Sequence, residues 1–275
     1  MKYTIAVNSY QHPEMLARCL RYIQEAIKGL DAEIIVADSE TGEETSMMMR
    51  EDFPEVRFFP NKKNVGMGAL ANTGLYKAKG ELIFFINYDC IINKESILLL
   101  AEYLEKDITI GLTAPQVKNY DGTLQYTCFR FYHPLTVLYR RTPLGRFPFA
   151  KKHLDDFLMK DSDHNTLLEP DWVMGSAMMI RKEDGILLGG FDSRFFMYFE
   201  DTDLCRKFWE KKKRVVYIPE AKIYHLHGKG SARGGLVRSL LFNKLTWIHI
   251  ISACKYFLKY YGKANPRKDF SINNK

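Results

Sequence analysis

No two cysteines lie close enough to read as a redox pair or a metal knuckle. The five thiols, Cys19, Cys90, Cys128, Cys205 and Cys254, are odd in number and widely spaced. A disulfide framework and a zinc ribbon fall away, and a reducing compartment suits the chain. No apolar run reaches the roughly 18 uncharged residues a membrane-crossing helix needs. The N-terminus passes from Met1-Lys2 straight into Tyr3-Thr4-Ile5-Ala6-Val7, without a signal-peptide core or a small-residue cleavage site. A cytoplasmic protein is therefore expected. Gly66-Met67-Gly68 stops short of the third glycine of a dinucleotide fingerprint, and no G-x-x-x-x-G-K-[ST] is present. That argues against an NAD enzyme and a P-loop kinase.

What is present suits a folded chain with a sizeable core: 275 residues, 46% hydrophobic and 27% charged. The net charge of +7 hides an asymmetry, because 23 Lys/Arg face 30 Asp/Glu up to Cys205, whereas 17 face 3 from Arg206 onward. A basic tail reads as a solvated face, a nucleic-acid patch or a membrane contact. It carries no recognisable nucleic-acid motif, so nucleic acid is not an expected partner. From Leu236 to Tyr261 apolar and aromatic residues interleave with Arg238, Lys244, Lys255 and Lys259. That pattern suits a helix lying on an anionic membrane, or one packed on the rest of the chain or on a second copy. The boundaries expected are a main domain over 1–235, divided near 115, and a basic amphipathic helical tail over 236–275.

Up to about residue 115 strand-like and helix-like segments alternate. Strands are expected at Tyr3 to Asn8, Glu33 to Ala37, Val56 to Phe59 and Leu82 to Ile86, and helices over Pro13 to Ile27, Met67 to Ala78 and Ser96 to Leu104. This rhythm predicts an α/β fold with a mostly parallel central sheet flanked by helices. Such sheets bind ligands beyond the carboxyl ends of their strands. The residues there are Asn8-Ser9-Tyr10, Asp38-Ser39-Glu40 and Asn87-Tyr88-Asp89. Further on, Asn119 to Gly122 predicts a hairpin turn, and the proline- and arginine-rich stretch from His133 to Pro170 predicts a long loop-rich segment. Gly175 inside the apolar run Trp172 to Ile180 predicts a close approach by a ligand or another backbone.

Three acids, Glu200, Asp201 and Asp203, follow the aromatic run Phe195 to Phe199. Aromatic surroundings raise a carboxylate's pKa toward what a general base needs, although helix capping also explains acids here. Asp89, with an amide at Asn87, suits a hard divalent cation held partly by phosphate oxygens. His225-x-His227 is followed by Gly228, Lys229, Gly230, Ser231 and Arg233. Zinc lacks a third ligand at matching spacing; a basic loop closing over a diphosphate fits better, with one histidine reaching the metal.

In this order the segments resemble the inverting glycosyltransferase family 2, on its rhamnosyltransferase-like side. The resemblance runs from Tyr3 to Arg233 through Val7-Asn8-Ser9-Tyr10, the Ile34 to Asp38 strand, Asn64-Val65-Gly66 and Asn72-Thr73-Gly74. It continues with Asn87-Tyr88-Asp89, Gly189-Gly190-Phe191-Asp192, the segment Phe195 to Cys205, Pro219-Glu220-Ala221 and His225 to Ser231. It implies a GT-A fold, a nucleotide-sugar donor (dTDP- or UDP-linked, with L-rhamnose first), Mn2+ or Mg2+, and inversion at the anomeric carbon. Asp201 would be the base. Asn8, Tyr10, Asp38, Asn64, Gly66, Asn72, Asn87, Lys229, Ser231 and Arg233 would bind donor. Asp89 and His225 would hold the metal, and Trp172, Gly175 and Glu200 would line the acceptor side. The first acid of the family's D-x-D is Asn87 here, which weakens that ligand without removing it. A lipid-linked saccharide acceptor at the inner face of the cell membrane, in surface polysaccharide synthesis, completes the expectation. A nucleotidyltransferase would need a basic motif near the first strand, and an inert scaffold of the same fold would lack Asp201. Neither condition is met.

Overall fold

The computed structural model describes residues 1–226 and 244–267. Among the described residues ten strands form: β1 Tyr3–Tyr10, β2 Ala32–Ser39, β3 Arg57–Asn61, β4 Leu82–Asn87, β5 Cys90–Ile91, β6 Ile110–Lys118, β7 Cys128–Phe129, β8 Trp172–Val173, β9 Ala177–Arg181 and β10 Arg214–His225. Eight of them make one sheet in the order β3-β2-β1-β4-β9-β6-β10-β5. The β3 to β4 half is parallel throughout. On its far side β9 inserts antiparallel between β4 and β6, and β6 and β10 are again parallel. β7 and β8 pair separately.

The continuous apolar run of β4 follows from burial on both faces. Successive side chains alternate across a strand, so Phe84 and Ile86 join one core and Ile83 and Phe85 the other. The first core is covered by α1 (Pro13–Ala26) and α4 (Lys94–Lys106), whose inward stripes are Leu16, Leu20, Ile23 and Ile97, Leu100, Leu104. The second lies under α3 (Met67–Lys77) and α8 (Glu200–Glu210) through Leu75, Leu204 and Phe208. A short α2 (Glu43–Asp52) joins β2 to β3.

Two expectations need correction. The first part of the stretch His133 to Pro170 is not loop-rich, because α5 (Pro134–Arg141), a 3-10 turn (Pro143–Arg146) and α6 (Pro148–Phe157) fill it, while the remainder to Pro170 is loop as expected. Pro134, Pro143 and Pro148 open these helices, where the missing N–H would have no helical partner and the fixed φ is already right. The run Trp172 to Ile180 is not one strand. It breaks at Met174 to Ser176 into β8 and β9. Asn119 to Gly122 does turn the chain, with Gly122 at φ 83° and its N–H donating to the Asn119 carbonyl at 2.9 Å.

The tail contributes a helix over Lys244–Lys259. Thr246, His249, Ser252, Ala253 and Tyr256 form its buried face, and Phe195 and Phe199 are packed against it.

Candidate active site

The parallel register brings four polar residues to one edge. Asn8 on β1 lies beside Asn87 on β4, and the next residue, Ser9, lies beside Asp38 on β2. Asp38 is 1% exposed, yet neither carboxylate oxygen has a hydrogen bond among the described residues. The Ser9 hydroxyl and the Asn87 side-chain Oδ1 are in the same condition. Buried polar atoms without partners are rare because each loses its water uncompensated. A row of them along the ligand-binding edge of an α/β sheet is a recognition surface awaiting donors and cations.

Asp89 follows this row. Its Oδ1 is buried without a hydrogen bond, 3.2 Å from His225 Nε2. His225 ends β10 opposite Cys90, and its Nδ1 lies 3.0 Å from Gln125 Oε1. Ligand atoms of Asp89, Cys90 and His225 fall within 4.8 Å of one another. Burial and the nearby Asp89 charge push the Cys90 thiol well up, so it stays protonated and a poor ligand. One carboxylate oxygen, one imidazole and a neighbouring amide oxygen fit Mn2+ or Mg2+ better than zinc. The Asp89 carbonyl accepts from Tyr120 Oη at 3.2 Å. A groove of about 620 Å³ opens beside it, lined by His12, Arg18, Tyr120 and Leu226 among others.

Asp201 sits in the first turn of α8. Its Oδ2 accepts from the Gly175 N–H at 2.9 Å and its Oδ1 from the Thr202 N–H at 2.7 Å. The approach expected at Gly175 is this carboxylate, since a Cβ there would lie 3.2 Å from the Asp201 Cβ. The next carbonyl, Ser176, accepts from the Asn87 N–H at 3.1 Å and from the Cys90 thiol at 3.4 Å. A short path of hydrogen bonds thus joins Asp201 to the metal-ligand cluster. Burial raises the Asp201 carboxyl pKa, while the two N–H donors pull it back. Glu200 is pushed well above its ordinary range by burial and by the Asp201 charge, and its Oε2 has no hydrogen bond among the described residues. Burial thus raises both carboxyls, and Glu200 further than Asp201.

The turn that presents them is strained. Tyr198 and Phe199 both take left-handed backbone, at φ 66° and 70°, an arrangement that costs about 1–2 kcal/mol per residue. It is held from behind by the C-terminal helix. Ser252 Oγ donates to the Met197 carbonyl at 2.8 Å, Lys255 to the Arg194 carbonyl at 2.9 Å, and Lys259 pairs with Asp192 and Asp203.

The other expected residues divide. Tyr10 donates to Glu40 at 2.9 Å at the rim of the same edge. Asn64 Oδ1 accepts the Gly66 N–H at 3.0 Å, and Gly66, at φ 82°, lies so close to the Phe196 backbone that a Cβ would clash. Asn72 is engaged at both ends of its amide by the Phe191 backbone, at 2.8 Å each way, and so clamps the Gly189-Gly190 turn. Trp172 is 5% exposed, stacked on Phe129 at 4.2 Å, with its N–H on the Arg130 carbonyl. It backs the site from inside the core. Lys229, Ser231 and Arg233 lie outside the described residues.

Sequence reasoning passed over Gln125, Ser176 and Tyr260, and it placed Lys259 only among the cations of the tail. Gln125 orients His225, and Tyr260 donates to Asp203 at 2.7 Å. Each acts across more than fifty residues of chain and carries no local signal.

The model of Glycosyl transferase family 2 matches residues 4–166. Among curated proteins, the N-acetylglucosaminyl-diphospho-decaprenol L-rhamnosyltransferase of Mycobacterium tuberculosis is 24% identical over 238 residues, covering 79% of this chain and 74% of that one. Rhamnosyltransferase WbbL of Escherichia coli is 26% identical over 156 residues, 54% of this chain and 53% of that one. Among solved structures, GalNAc-T7 with UDP, GalNAc and Mn2+ superposes with a TM-score of 0.61 at 18% identity, over 82% of this chain. This chain spans only 44% of that one. The mannosyltransferase PcManGT from Pyrobaculum calidifontis, in complex with GDP-Man and Mn2+, gives 0.57 at 15% identity over 99% of this chain and 79% of that one. The shared architecture is the GT-A fold.

Proposed function

This chain belongs to glycosyl transferase family 2, and from that premise we propose that it is an inverting transferase. In this reading it moves L-rhamnose from a dTDP-linked donor to a hydroxyl of a lipid-linked saccharide, from the cytoplasmic side, in cell-surface polysaccharide synthesis. The observation that carries the proposal is the Asp201 carboxylate. It is fixed by two N–H donors and joined through Gly175 and Ser176 to the Asn87–Asp89 edge. The rhamnosyl donor and polyprenyl acceptor are supported by the curated relatives' names.

Asp38, buried with two unpaired oxygens, suits the imide N–H of thymine or uracil. Asp89 and His225, with Asn87 beside them, would hold Mn2+ or Mg2+, whose charge offsets that developing on the departing diphosphate. Asp201 takes the proton of the acceptor hydroxyl as that oxygen bonds to the anomeric carbon. The bond from this carbon to the diphosphate oxygen breaks on the opposite face. Because the two N–H groups hold Asp201 before substrate arrives, little reorganisation is needed at the moment of attack. Gly175 leaves it room, since a Cβ there would press on the Asp201 side chain at 3.2 Å from its Cβ and 3.4 Å from Oδ2.

A donor panel tests this. dTDP-L-rhamnose with Mn2+ is expected to raise the melting temperature more than UDP- or GDP-sugars do, and chelator or Asp89→Ala is expected to remove the shift. A shift indifferent to chelator in the parent protein overturns the metal assignment. A larger shift with a UDP-sugar moves the donor to uridine.

A further inference from the structure

We propose that the α5–α6 hairpin and the outer face of the C-terminal helix form one seat for an anionic lipid bilayer. The two elements adjoin. α5 contacts the C-terminal helix, and Val137 packs into the cluster of Phe195, Phe199 and Tyr256. Outward from this junction both present apolar groups. Ile251, Leu258 and Tyr261 recur at helical spacing on the side away from the buried face and are 49%, 77% and 88% exposed. On the hairpin, Leu144 is exposed, and so are Phe147 and Phe149, whose rings stack at 5.8 Å. Single exposed apolar residues are ordinary, but several of them on two elements that pack together through Val137 mark an interaction surface.

Charge identifies the occupant. From Pro134 to Leu154 the chain has five Lys/Arg and no acid, and from Lys244 to Arg267 again five and none. Lys259 and Arg267 are engaged by Asp192, Asp203, Glu169 and Asp171. Arg140 donates to Tyr132 Oη and Lys255 to the Arg194 carbonyl, yet both stay exposed, as do Arg146, Lys151 and Lys152 on the hairpin, Lys244 on the helix and Lys263 just beyond it. A second copy meeting this face symmetrically would set cation against cation. A nucleic acid would leave the leucines and phenylalanines without an apolar host. An anionic leaflet accommodates both, with side-chain rings and aliphatic groups at the acyl boundary and cations among the headgroups. No helix among the described residues is long and apolar enough to cross a membrane, so the contact lies on the surface. The seat uses none of the residues assigned to donor, metal or base, and its test does not depend on which sugar is transferred.

Sedimentation of the full chain with phosphatidylcholine vesicles, and with vesicles that also contain phosphatidylglycerol, tests the seat. Binding is expected with the mixed vesicles only, weakening as salt rises. Each cation near an anionic leaflet adds about fivefold in partition, so Lys151→Glu with Lys152→Glu is expected to lower it more than tenfold. Phe147→Ser with Phe149→Ser, and Leu258→Ser with Tyr261→Ser, are expected to lower it at least tenfold. These positions are exposed, so melting temperature and the donor-induced shift are expected to match the parent. Absence of parent binding to the mixed vesicles overturns the proposal, as does binding unchanged in all three variants. Equal binding to neutral vesicles overturns the charge argument. A dimer in light scattering that Leu258→Ser dissolves, with no vesicle uptake, assigns the face to a second copy instead.

Discussion

Asp201 and Glu200 stand side by side at the start of α8, and their surroundings separate them. Two backbone N–H donors hold the Asp201 oxygens, whereas Glu200 Oε2 has no hydrogen bond among the described residues. Asp201→Asn is therefore expected to lower turnover by about 10²–10⁴, the usual loss on removing a general base, and to leave the donor-induced thermal shift unchanged. Near-parental turnover in that variant rules Asp201 out as the base. Since a base must be ionised to act, and burial raises the Asp201 pKa, the acid limb of the rate profile is expected above the ordinary Asp range of about 4. Glu200 answers to stability. In the unfolded chain it ionises near pH 4.3 (about the model-peptide value), while burial keeps it protonated far higher in the fold. Its contribution is complete below the ordinary Glu range and is lost as pH rises from there toward its raised folded value. Glu200→Gln cannot ionise, so its melting temperature is expected to gain on the parent's as pH rises above about 4.3, the unfolded value. A constant difference across that range contradicts a buried, protonated Glu200. These acids and those at the strand ends were legible in the sequence because they punctuate apolar runs. Ser176, Gln125 and Tyr120 were not, because their meaning lies in partners brought together by the sheet.

Behind α8, the C-terminal helix explains how two consecutive residues can rest in left-handed backbone. Strain of this kind persists only where the surroundings over-determine it. Phe199 is sandwiched by His249, Tyr256 and Phe257, and the buried Asp203 carboxylate is shared by Lys259 and Tyr260. Lys259→Met leaves that carboxylate with one strong partner fewer, and breaking a buried pair in this way costs on the order of 3 kcal/mol. Urea unfolding is expected to show the loss. Turnover is expected to fall while the KM for donor stays near the parent's, because the turn positions Asp201 and not the nucleotide. A rise in donor KM with unchanged turnover would place Lys259 at the nucleotide instead. Elements with a regular apolar period, such as α1, α4 and β4, could be read directly. The helices α5 and α6 could not, because a proline that opens a helix and a proline that ends one look alike without the flanking geometry. The antiparallel insertion of β9 was equally hidden, since strand direction depends on where the chain returns and not on its composition.

The contrast between an acidic body and a basic tail was visible as arithmetic, but not its resolution. Part of it closes internally: Lys259 meets Asp192 and Asp203, Arg267 meets Glu169 and Asp171, and Arg206 lies 4.0 Å from the Tyr260 ring. The inner face of the tail therefore builds a third apolar cluster with Phe195 and Phe199, while Ile251 and Leu258 on its outer face are exposed. This predicts the behaviour of a chain cut after Gly235. Such a chain uncovers Phe195 and Phe199, each contributing about 1.5–3 kcal/mol through burial, and leaves Asp203 buried without Lys259 or Tyr260. Those losses approach the roughly 5–15 kcal/mol by which domains of this kind are stable. The truncated chain is expected to melt far below the parent, to bind a hydrophobic dye such as ANS, and to lose transfer even toward a water-soluble acceptor that needs no membrane. The parent, with tail and body sharing that cluster, is expected to unfold in a single transition by both near-UV and far-UV circular dichroism. A truncated chain that melts like the parent and transfers to the soluble acceptor would show that the helix only rests against the turn, leaving the left-handed backbone at Tyr198 and Phe199 to be held by the sheet side alone.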